Sequence, residues 1–152
     1  MKTLWILLTF LTFFAGCSQN NAFSRFHMSS KQELRNDSIL SSKVKNGTQV
    51  DGVVSVIYLN KVDPTRFNTD EYFYVSYYLK DTNPNVKFLL NKEEANSISQ
   101  VKNDKTLAYL SPVKTKWNKY YIVKFKPQKD ILSFVLENGQ FSSDSLVFEK
   151  DE

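Results

Sequence analysis

The chain has 152 residues and a formal net charge of +4, with one cysteine, one histidine, four glycines and four prolines. A single cysteine excludes an internal disulfide, a CxxC redox pair and a thiolate metal site. A single histidine, His27, leaves Ser-His-Asp and Cys-His chemistry one candidate each, and four scattered glycines leave no phosphate-cradling loop.

Read in chain order, Lys2 precedes a run from Thr3 to Gly16 that carries no charge. Leu4, Trp5, Ile6, Leu7, Leu8, Phe10, Leu11, Phe13 and Phe14 supply its apolar mass. The run is about 14 residues, short of the roughly 20 that a lasting transmembrane helix needs. A positive end, a short apolar stretch and small residues before a cysteine have the physics of an export signal. Phe14-Ala15-Gly16-Cys17 resembles the lipobox of bacterial lipoproteins, with Phe14 where that family usually has leucine. The resemblance implies a signal peptide over residues 1–16, cleavage before Cys17, and acylation of Cys17 as the link to membrane lipid. Each buried methylene contributes about 0.8 kcal/mol, so two or three acyl chains hold stably where one is marginal. Ser18 stands where aspartate would favour the inner membrane, so the resemblance implies the outer membrane facing the periplasm in a diderm cell. Export also argues against nucleic acid as a partner.

Residues 17–37 read as a polar tether behind the lipidated cysteine. Ala22, Phe23, Phe26 and Met28 sustain no period, and His27 sits in this stretch, a poor place for a catalytic histidine. Ser30 and Glu33 have the spacing of a capping box that opens a short helix.

From residue 38 to 152 the pattern becomes that of short strands. Ile39–Lys45 and a strand from Val50 flank Asn46-Gly47, and Val53 to Leu59 is rich in β-branched residues. Glu71 to Lys80 alternates most clearly. Phe73, Val75, Tyr77 and Leu79 point one way, and Tyr72, Tyr74, Ser76 and Tyr78 the other. Asp81-Thr82-Asn83-Pro84 reads as a turn, and Val86–Leu90 as a strand. Asn91 to Asp104 is polar, with Asn91 as the N-cap of one or two helical turns, and Leu107–Leu110 reads as a strand. Tyr120 to Lys126 alternates again. Ile131–Glu137 and Gln140–Glu149 flank Asn138-Gly139, which fits a type I′ hairpin with both turn residues at positive φ.

Seven or eight short strands with turns between them predict an all-β fold, an antiparallel β-sandwich of immunoglobulin-like architecture. Tyr72, Tyr74 and Tyr78 form the candidate partner surface, because tyrosines offer rigid amphipathic area. Trp117, at a strand entrance, reads as a rim or core aromatic. Glu93-Glu94, Asp63, Asp70-Glu71, Asp130 and Asp151-Glu152 lie in expected loops or strand ends, where nothing apolar would raise a carboxyl for acid–base work. No catalytic residue, metal or cofactor is expected. The expected function is that of a membrane-anchored, non-enzymatic module that binds another envelope protein. The alternatives are a carrier or sensor of a small apolar or glycan ligand in a barrel-like pocket and, last, a carboxylate-based hydrolase.

Overall fold

The computed structural model describes residues 30–80, 85–102, 105–111 and 114–150. The expected signal peptide over residues 1–16, Cys17, Ser18, His27 and the turn expected at Asp81–Pro84 lie outside the described residues. The last eight residues of the expected tether form helix α1, Ser30–Asp37, with Glu33 in its first turn.

Ten antiparallel strands among the described residues build one sheet, curled into a half-barrel. They are β1 (Ile39–Asn46), β2 (Gln49–Tyr58), β3 (Glu71–Leu79), β4 (Val86–Leu90), β5 (Glu93–Glu94), β6 (Ser97–Gln100), β7 (Lys119–Phe125), β8 (Ile131–Asn138), β9 (Phe141–Ser143) and β10 (Leu146–Glu149). Their order is β5-β4-β8-β9-β1-β2-β3-β7-β6, with β10 also paired to β8. The all-β expectation holds, but the strands are not divided into the two stacked sheets of a sandwich. The reason is β9, which pairs with both β1 and β8 and so makes one sheet of what would otherwise be two. The curl lets that sheet face itself. Phe73 on β3 meets Phe134 on β8 with ring centroids 5.2 Å apart, although three strands separate them in the sheet order.

A single run of chain links the two ends of this sheet. β5 pairs with β4, and β6, two residues later, pairs with β7. Between them the Ala95 N–H donates to the Phe88 carbonyl at 3.1 Å and the Asn96 N–H donates to the Lys124 carbonyl at 2.8 Å. The Asn96 side-chain oxygen accepts from the Lys126 N–H at 3.0 Å. Residues 91–102 are therefore not the short helix expected from their polarity. Asn91 and Lys92, at φ +50° and +72°, form the two-residue loop between the paired Leu90 and Glu93. That is the type I′ pattern. Asn91 is pinned there because its amide accepts from the Ser133 N–H at 2.9 Å and donates to the Ile131 carbonyl at 3.1 Å. The strand expected at Leu107–Leu110 is instead a 3-10 turn, Lys105–Leu107, and a following turn, so Leu107 and Leu110 share one side.

Both Asn-Gly hairpins form, one residue out of the expected register. Asn46 pairs with Gln49 and Asn138 with Phe141, so the loops are Gly47-Thr48 and Gly139-Gln140. Only the glycines have positive φ, +56° and +62°. One glycine at the first loop position is the signature of a type II′ turn, not type I′.

The inner face holds the main core, including Val54, Val56, Phe73, Val75, Phe125, Leu132, Phe134 and Leu136. A second, smaller core lies on the outer face. There a four-residue helix, α2 (Leu59–Val62), Phe67, Val101, Leu107 and Leu110 cover Ile57, Tyr74 and Tyr120.

Candidate functional site

Strand β3 carries the expected tyrosines on its outer face, and its neighbours divide their fates. At the β3 start, Tyr72 is half-buried, its ring 5.2 Å from that of Phe67. Its N–H donates to the Asn60 side-chain oxygen at 2.8 Å, which ties the α2 loop down over this end. Tyr74 is 2% exposed, under Leu59, Val62, Leu107 and Leu110. Burial pushes its hydroxyl up to about 12, aided by the neighbouring Tyr120 and opposed by a hydrogen bond with Ser111. Tyr72 and Tyr74 are thus packing residues of the outer core, because the 59–67 loop and Val101, Leu107 and Leu110 pack over them.

Tyr78 stays in solvent beyond the reach of those loops. It is 42% exposed and pairs directly across to Val53 of β2, which is 45% exposed. Trp117, 70% exposed, completes the group with Asn118 beside it, and the four residues line a shallow hollow of about 440 Å³. Trp117 is therefore a rim aromatic, not a core one. Isolated exposed apolar residues are ordinary, whereas these three gather their exposed apolar area in one hollow.

Lysines flank the hollow. Lys43 of β1 pairs with Val53 and projects from the same face. Lys114 sets its ammonium 5.7 Å above the ring of Tyr120, which sits opposite Ser76, the neighbour of Tyr78 on that face. Lys116 immediately precedes Trp117. Val53 and Lys43 are the residues that sequence reasoning missed here. The signal that finds them is the Asn46-Gly47 hairpin, whose register sets Lys43, Val53 and Tyr78 in one row across three strands.

The carboxylates hold structure together. Glu71, 2% exposed, accepts from the Tyr58 hydroxyl at 2.6 Å, the Gln128 N–H at 2.9 Å and the Lys150 ammonium at 2.6 Å. Burial would raise its carboxyl, but the hydrogen bonds from Lys150, Tyr58 and Gln128 and the charge of Lys150 outweigh it and hold it below its ordinary value. Asp63 accepts from Thr65 at 2.8 Å and its carbonyl takes the Arg66 and Phe67 N–H groups, which shapes the loop over Tyr72. Glu94 pairs with Lys87, and Asp70 with Lys124 at 3.2 Å. Among the described residues no three of His, Cys, Asp and Glu converge as metal ligands would, and no helix is long and apolar enough to cross a membrane.

No protein-family model, curated protein or solved structure matches this chain.

Proposed function

We propose that the chain is a lipid-anchored envelope lipoprotein whose β domain is a non-enzymatic protein-binding module. The observation that carries the binding reading is the convergence of Val53, Tyr78 and Trp117 on one solvent-facing hollow. Interfaces concentrate tyrosine and tryptophan in such places, where a rigid ring contributes contact area at little entropic cost. The anchor reading rests on Lys2, the uncharged run that follows it and Ala15-Gly16-Cys17. The filled interior supports binding at the surface over carriage inside. The Phe73 ring lies 5.2–5.8 Å from those of Tyr58, Phe125, Phe134 and Phe148, where a carried ligand would sit.

Two experiments test the two halves. A photoreactive residue at Tyr78 in the native envelope gives a discrete protein adduct, and the same group at buried Tyr74 gives none. Equal labelling at both sites, or none at Tyr78 in a folded chain, ends the binding reading. Cys17→Ser abolishes lipid labelling and releases the protein from the membrane fraction. Retention in the membrane without lipid would make residues 1–16 an uncleaved anchor.

A further inference from the structure

We infer that the partner presents an acidic protein segment, with an apolar side chain set between carboxylates, to the hollow at Val53, Tyr78 and Trp117. This rests on the binding reading above and adds the chemistry of what is bound. Charge is the first argument. Lys43, Lys114 and Lys116 flank the hollow, and among the described residues none of them forms an ion pair. Lys45, Lys87, Lys124 and Lys150, by contrast, are matched by this chain's own carboxylates, as in Lys45 with Asp144 at 3.1 Å and Lys124 with Asp70 at 3.2 Å. Asp144 pairs with Lys45 and stands opposite Lys43 in the β1–β9 register, so one carboxylate serves two lysines and leaves them net positive. The hollow thus has an apolar floor and, among the described residues, a net positive rim, and its complement is an apolar group with a negative rim.

Polar chemistry separates a protein segment from a glycan. A sugar ring needs several directed hydrogen bonds besides stacking. Among the residues lining the hollow, the polar side-chain groups are the Asn118 amide, the Tyr78 hydroxyl and the single Trp117 indole N–H, and Val53 adds none. A leucine or phenylalanine side chain suits that floor, and glutamate or aspartate on either side of it reaches the lysines.

Position agrees. The chain enters the domain through α1, which leads into β1 at Ile39, opposite Ile57 of β2. The hollow lies four residues further along β2, at Val53, roughly 13 Å from that entry at 3.3 Å per residue. A domain held by its N-terminal side therefore carries the hollow away from its point of attachment, where another protein can reach it.

The test uses a reporter already in the hollow. Trp5 and Trp117 are the two tryptophans and cleavage before Cys17 removes Trp5, so in the processed chain, held in detergent micelles, Trp117 alone reports; Trp5→Phe gives the same reporter if cleavage fails. The probes are the peptide Glu-Glu-Leu-Phe-Glu-Glu, its lysine counterpart Lys-Lys-Leu-Phe-Lys-Lys, and polygalacturonate as a carboxylated sugar polymer. The acidic peptide alone is expected to shift Trp117 emission saturably. Lys43→Glu with Lys116→Glu weakens it at least about tenfold, as does raising salt from about 50 to about 500 mM. Both lysines are exposed, and an unchanged circular dichroism spectrum certifies the fold of the double variant. Binding that survives charge reversal, an equal response to the lysine peptide, a response to polygalacturonate alone, or no response at all overturns the inference. An adduct at Tyr78 alongside any of these leaves the binding reading standing and ends only its acidic chemistry. Absence of that adduct ends both.

Discussion

Asn138 of β8 donates its amide to the carboxylate of Asp51 on β2 at 2.9 Å, with both side chains buried. The contact exists because β2 bulges. Val44 pairs with Gly52 and Lys45 with Val50, so Asp51 is the extra residue and turns inward. The bulge therefore joins the ends of the two Asn-Gly hairpins. Asn138→Ala leaves a buried carboxylate short of a donor and is expected to lower stability by about 2 kcal/mol. Asn138→Asp costs more, because it sets two carboxylates face to face. Urea midpoints of the three chains check the order.

Glu71 makes stability depend on pH in one direction. Its carboxyl titrates below its ordinary value of 4.5 in the folded chain, so the unfolded chain binds the proton more readily. The stabilisation is fully present above that ordinary value and is lost as pH falls through the lower folded value. Glu71→Gln is expected to cost on the order of 2 kcal/mol at neutral pH and to flatten the acid limb of the stability curve. Urea unfolding of both chains across the acid range reads this. Parallel curves for variant and parent would assign the acid dependence to other groups.

Lys92 occupies the second position of the β4–β5 loop at φ +72°, a conformation that glycine adopts without strain. Lys92→Gly is expected to raise stability by about 0.5–1 kcal/mol, although it removes a side chain from the surface. The thermal midpoint should rise with it. Asn91→Ala at the preceding position acts oppositely, since it removes the bonds to Ser133 and Ile131 that hold the turn to β8.

One strand should give two mutational phenotypes. Tyr74→Ala empties part of the outer core and is expected to cost about 3–5 kcal/mol. Tyr78→Ala and Trp117→Ala stay within about 0.5 kcal/mol of the parent. They abolish adduct formation at Val53 when the photoreactive group is placed there. Denaturation curves paired with crosslinking separate the two classes.

The alternation of β3 was legible because period two is a local signal, and the inner set Phe73, Val75, Tyr77 and Leu79 lies in the core as that alternation requires. What covers the other face was not legible. The cover comes from residues 59–67 and from Val101, Leu107 and Leu110, whose own patterns do not say where they fold. β6 escaped notice because an edge strand exposed at all four positions shows no burial alternation. Leu107 and Leu110 had the i, i+3 spacing of a turn of helix, and that spacing was a better guide than their strand-like composition. In the Asn-Gly hairpins glycine marked the turn correctly, but register depended on what Asn138 bonds, and Asp51 lies 87 residues away. The single curled sheet likewise depends on distant pairs such as β1 with β9.

The pairing of β1 with β9 also sets a timetable. Ser42 and Asp144, which bond beside that pairing, are 102 residues apart. A chain emerging from a ribosome or a translocation pore with its N-terminus leading delivers β1 early and β9 nearly last. Until then β1 has β2 along one edge and nothing along the other, and an unfilled edge is a template for any passing strand. A chain stopped short of Phe141 would keep that edge open indefinitely. The arrival of β9 thus decides when β1 stops being adhesive.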